Sequence, residues 1–115
     1  MWQQAGWFLQ QIGGTWRWHV GGVDCDGGQA ITGRWVHVVG TYDGRTARVF
    51  QDGVQVGEHA GPFKTEVFPG DLFIGQYSGG AGPMYQVHGR LANLKLYHRV
   101  LSATEITTAA KTSPP

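Results

Sequence analysis

Short stretches in which aromatic and β-branched residues alternate with polar ones, each bounded by glycine, run through most of this chain. Trp7 to Ile12 and Thr15 to Val20 are two such runs, separated by Gly13-Gly14. Glycine reaches positive φ without steric cost, so the pair predicts a tight two-residue turn joining antiparallel strands. Side chains on a strand point alternately to its two faces, which places Trp16, Trp18 and Val20 on one face and Arg17 and His19 on the other. The first face is core-like and the second is wet. Trp35 to Tyr42 reads as a long strand stopped by Asp43-Gly44, and Thr46 to Gln51 as its antiparallel neighbour. Asp52-Gly53 between Val49-Phe50-Gln51 and Val54-Gln55-Val56 is a strong signal for a type I′ hairpin turn.

The pattern breaks in two places. Gly21 to Gly33 is rich in glycine and short polar residues and reads as a loop, with Asp24-Cys25-Asp26-Gly27 its most polar part. Pro62 and Pro69-Gly70 interrupt the second half, leaving Leu72 to Gln76 as a short strand and Ser78 to Pro83 as a Gly-rich loop able to present Tyr77 and Tyr85. Gly89 to Val100, with Leu91, Leu94 and Leu96, passes as a long final strand. Ser102-Ala103-Thr104-Glu105 has capping-box spacing and predicts one or two helical turns, and Lys111 to Pro115 reads as a frayed tail. These elements make an all-β, antiparallel two-sheet sandwich with a short C-terminal helix.

Composition narrows the class. At 115 residues the chain is the size of one domain, and 41% hydrophobic against 15% charged residues, with no long apolar run, describes a globular protein without membrane insertion. The net charge of +1 arises from 9 basic and 8 acidic residues with no basic block, which argues against nucleic acid as a partner. Cys25 is the single cysteine, so no internal disulfide forms and packing must supply the stability. Met1 to Ile12 lacks the basic start, continuous apolar stretch and small-residue cleavage site of a secretory signal.

Three segments in order carry a family resemblance: Arg34-Trp35-Val36-His37-Val38-Val39-Gly40-Thr41-Tyr42-Asp43-Gly44, then Val49-Phe50-Gln51-Asp52-Gly53, then Gly89-Arg90-Leu91 through Tyr97-His98-Arg99-Val100-Leu101-Ser102-Ala103-Thr104-Glu105-Ile106. Together they resemble the laminin-G-like, concanavalin-A-like jelly-roll domains. The resemblance implies a jelly-roll β-sandwich over residues 1–106 with 107–115 as a tail, an extracellular or cell-surface setting, and a glycan or an extracellular protein as partner. Two features depart from the family pattern. Nothing before Trp7 supplies the usual Asp-Gly-containing and aromatic-rich opening strands, so the front of the jelly roll is expected to be missing. The open sheet edge this leaves predicts a homodimer through sheet continuation or strand exchange. Ala92-Asn93 stands where relatives often carry an acid that helps hold calcium.

The candidate chemistry favours recognition over catalysis. Glycoside hydrolysis needs a proton donor and a second carboxylate across the scissile bond, and the reading finds no strand bearing such a pair; Glu58, Glu66 and Glu105 are scattered over turn-like or capping positions. The chain is therefore read as a non-enzyme. Asp24 and Asp26 offer two hard oxygen ligands for calcium, the one cofactor in view, against the ordinary reading of a solvated turn. His19, His37, His59, His88 and His98 show no zinc-like spacing, and His37 is expected to be a half-buried strand residue hydrogen-bonded to a neighbour. Sugar faces stack on flat rings while amides and charged groups take their hydroxyls, which makes Trp16, Trp18, Tyr77 and Tyr85 candidates, with Arg17 and His19 lining a polar groove beside Gln10 and Gln76. The bland readings are core packing for the two tryptophans and an ordinary wet sheet surface for Arg17 and His19. The sequence thus points to a non-catalytic carbohydrate-binding module, the alternatives being a protein-interaction or self-assembly module built on the open sheet edge, or an inert fragment of a larger enzyme or adhesin.

Overall fold

The computed structural model describes residues 7–62 and 89–112. Strands β1 (Trp7–Ile12), β2 (Thr15–Val20) and β3 (Val23–Gly27) form one antiparallel sheet in that order. Strands β4 (Val38–Tyr42), β5 (Thr46–Gln51) and β6 (Val54–Ala60) form a second, and helix α1 (Ala103–Ala110) follows. Gly13 and Gly14 both have positive φ (57° and 82°), the conformation that matches the twist of the strands they join. Asp52 and Gly53 do the same between β5 and β6 (52° and 85°), as the Asp-Gly pair predicts.

Three sequence expectations are corrected. Gly21 to Gly33 is not all loop: Gly21 and Gly22 (φ 59° and 83°) make another tight turn, and β3 follows directly. The Trp35 to Tyr42 run becomes a strand only at Val38. Just before it, the half-buried His37 bonds to a neighbour as expected, its N–H donating to the Asp52 side chain (3.0 Å) instead of a ladder carbonyl, while Nδ1 of its imidazole is buried without a hydrogen-bond partner. Residues 89–102 contain no strand. Their apolar positions do not keep a period of two, and Asn93 takes a left-handed φ of 55° that breaks an extended run. Leu91, Leu94 and Leu96 accordingly stand exposed. The short strand expected at Leu72 to Gln76 and the loop from Ser78 to Pro83 lie outside the described residues.

The two sheets stack through Cys25, Ala47 and Val49, with Trp16, Trp18, Val20, Val38 and Val56 packed around them. Trp18 crosses between the sheets, its indole N–H donating to the Thr41 carbonyl (3.0 Å) and its ring lying on Gly40. β3 lies against β6 so closely that a Cβ on Gly27 would collide with the Val56 carbonyl, and one on Gly57 would come within 2.5 Å of the Asp26 carbonyl. In α1 the capping box is formed as expected: Ser102 Oγ accepts from the Glu105 N–H (3.1 Å) and Glu105 Oε1 from the Ser102 N–H (2.9 Å). Ile106 is fully buried, and Thr107 and Ala110 lie against Gly53 at the β5–β6 turn.

Candidate functional site

The outward face of the β1–β3 sheet gathers the polar chemistry. Two-residue turns fix strand register, and here they align Phe8 with His19 and Asp24, and Gln10 with Arg17 and Asp26, in two adjacent rows. In the first row the Phe8 and His19 rings stack nearly parallel, 5° apart with centroids at 4.5 Å, and His19 Nδ1 is 2.6 Å from Asp24 Oδ1. His19 is only 4% exposed although it points to the wet face, because ring and carboxylate enclose it. In the second row the Arg17 guanidinium forks onto Asp26 through Nε (2.8 Å) and Nη2 (2.9 Å). Its Nη1 reaches back to Asp24 at 3.6 Å, so one guanidinium ties the two rows together. The Asp26 hydrogen bonds, and then the charges of Asp24 and Asp26, raise the Arg17 pKa further above its usual value against the opposing effect of burial.

Both carboxylates remain accessible, Asp24 at 44% and Asp26 at 41% of their side-chain surface. A carboxylate has about four lone-pair sites, and the contacts above use only part of them. The face therefore offers acceptors in fixed positions beside a flat stacked pair of rings. The other sheet has a comparable clamp, with Arg48 held between Asp43 (3.2 Å) and Glu58 (3.1 Å), but no stacked ring pair accompanies it among the described residues.

Asp24 and Asp26 sit on β3, one strand bearing two acids on one face, which the sequence reading did not find. As calcium ligands they fit poorly: a guanidinium already engages both, and calcium takes six to eight oxygens. No group of three His, Cys, Asp or Glu is gathered for a metal among the described residues. Trp16 and Trp18 face the interior, the Trp16 N–H donating to the Gln29 carbonyl (3.2 Å), so they lie on the opposite face from Arg17 and His19. Tyr77, Tyr85 and Gln76 lie outside the described residues. Phe8 was missed as a site residue, although the Gly13-Gly14 turn alone sets it opposite His19.

Residues 2–107 match the family model for the concanavalin A-like lectin/glucanases superfamily. The chain belongs to that superfamily. No curated protein matches it. Among solved structures, residues 221–444 of an S-layer domain-containing protein from Clostridium thermocellum superimpose with a TM-score of 0.61 at 24% identity, covering 95% of this chain and 58% of that one. The likeness shows the shared fold, and this chain spans a little over half the length of that structure. Membership accounts for the two facing antiparallel sheets, and the superfamily's own description spans binding and hydrolytic proteins.

Proposed function

We propose that this superfamily domain is a non-catalytic, lectin-like carbohydrate-binding module whose binding surface is the outward face of β1–β3. The observation that carries the reading is the Phe8–His19 stack beside two half-exposed carboxylates held in place by Arg17. Sugars present apolar C–H faces and rings of hydroxyl donors, and such a surface supplies a partner for each. Hydrolysis would need one carboxyl set apart as a proton donor. Here Asp26 accepts two hydrogen bonds from the Arg17 guanidinium, and Asp24 lies in an ion pair with the same group at 3.6 Å. The superfamily itself supports a recognition role, and the S-layer name of the solved neighbour is in keeping with a cell-surface setting.

The test is a glycan array probed with the purified domain, with and without a calcium chelator. Reproducible saccharide binding is expected, unaffected by chelation and weakened about tenfold or more by Asp26→Ala or Arg17→Ala, the effect of losing one or two charge-assisted hydrogen bonds. Binding that survives both substitutions would move the site elsewhere, with Tyr77→Ala and Tyr85→Ala the next variants. Silence across the array would reject the reading.

One observation favours a second reading, a self-assembly module. Leu91, Leu94, Leu96 and Val100 are 60%, 60%, 62% and 43% exposed within one short stretch, a concentration of apolar surface that marks protein contacts. The partner in this reading is a second copy of the chain.

A further inference from the structure

Three separate parts of the chain converge on His37. Its backbone is clasped by Asp52: the Asp52 N–H donates to the His37 carbonyl (2.8 Å), and the Asp52 carboxylate accepts from the His37 N–H (3.0 Å). The same carboxylate accepts from Arg34 Nη2 (3.0 Å), so residues 34–37 are tied at both ends to the β5–β6 turn. The next residue of that turn, Gly53, is packed against Thr107 and Ala110 of α1, and the Thr107 hydroxyl donates to its carbonyl at 3.5 Å. Lys95, from residues 89–102, adds a positive charge near the ring.

At the centre of this junction, Nδ1 of His37 is the one buried side-chain polar atom without a hydrogen-bond partner among the described residues. A neutral imidazole tolerates this by carrying its proton on Nε2. An imidazolium carries protons on both nitrogens, and a buried donor with no acceptor is strongly penalised. We propose that His37 is an acid-sensitive clasp: when its imidazole takes up a proton, the junction holding residues 34–37 to the β5–β6 turn loosens, and the seat of α1 against that turn loosens with it.

The surrounding charges support the direction. Burial is the main influence and lowers the pKa of His37 below 6.5; the negative charge of Asp52 opposes it and Lys95 acts with burial. Arg34 stands behind Asp52 and spends part of that carboxylate's capacity. Because the folded-state value lies below the unfolded one, the clasp is unaffected above pH 6.5. As pH falls below 6.5 the unfolded chain binds the proton first, and stability declines until the folded-state value is passed.

The experiment is residue-resolved amide hydrogen exchange on the full chain at about pH 7.5 and about pH 5.5, each rate divided by that of an unstructured peptide at the same pH. In the parent chain, protection of the His37 and Asp52 amides should fall by up to about tenfold per unit of pKa difference, while β2 amides keep theirs. His37→Gln should abolish the fall. Lys95→Gln leaves the ring in place and should shrink the fall, which keeps the test decisive if the His37 variant does not fold. An unchanged protection in the parent chain, an equal loss in His37→Gln, or an NMR-titrated His37 pKa at or above that of a free histidine would overturn the proposal.

Discussion

Gly27 and Gly57 show how much of this domain rests on the absence of a side chain. A methyl group on either would strike the backbone of the facing strand, which cannot swing aside as a flexible side chain could. Gly27→Ala is expected to cost about 1–3 kcal/mol, the range for overpacking, seen as a lower urea midpoint with little change in slope. Gly14→Ala meets open space, so its cost should come from its positive φ alone. Cys25 is a second case of context overruling residue type. Burial pushes its thiol up to about 11, and its Sγ lies 3.5 Å from the Ala47 carbonyl to which it donates. It should resist alkylation at neutral pH in the folded chain and react fully once denaturant is added. Neither the glycine contacts nor the buried thiol could be read from the sequence, because both depend on which strand of the other sheet lies opposite. Arg17 and His19 were legible as wet-face residues, but the enclosure of His19 by Phe8 and Asp24 required the register of three strands.

Hairpins and caps are the elements that local sequence specifies best. Gly13-Gly14, Asp52-Gly53 and the Ser102–Glu105 box all behave as their residue chemistry demands. Gly21-Gly22 carries the same signal as Gly13-Gly14, but the glycines and short polar residues that follow it, Asp24 and Asp26 among them, are uncommon in strands. On β3 Asp24 and Asp26 are tolerated because Arg17 and His19 answer them from the adjacent strand. The caps also set an acid response. Backbone N–H groups of Thr46 and Arg45 and then the Arg48 side chain hold Asp43 at about 2, and the Arg99 fork followed by the Ser102 N–H holds Glu105 at about 2. Both folded-state values lie below the ordinary carboxylate range, so their stabilisation is present above it and is lost as pH falls toward 2. With His37 acting from 6.5 downward, thermal unfolding followed against pH should show two declines, a shallow upper one and a steeper lower one. Combining Asp43→Asn with Glu105→Gln should flatten the lower decline and leave the upper one. Ser102→Ala removes the hydroxyl cap and should cost about 1 kcal/mol.

Among the described residues, two three-stranded sheets face each other, a helix is seated on one turn, and few side chains are fully buried. The exposed leucines between Asn93 and α1 are the feature least suited to an isolated chain. If they mediate self-association, light scattering over a concentration series should report twice the monomer mass, and Leu94→Asp with Leu96→Asp should return it to the monomer. A monomer at every concentration would leave the recognition reading alone in the field. What the amino-acid order determined by itself was local: where strands begin to turn, which residues alternate to which face, and how the helix starts. These follow from φ preferences and from hydrogen bonds that close within a few residues. The sequence also carried the family, through three separated segments now matched over residues 2–107. Only the tertiary structure decided which faces meet, that β3 and β6 touch backbone to backbone, that Phe8 joins Arg17 and His19 at the candidate site, and that Nδ1 of His37 is buried without a hydrogen-bond partner. Those outcomes depend on contacts between residues far apart in the chain, and no short-range preference encodes which of many such contacts packs best.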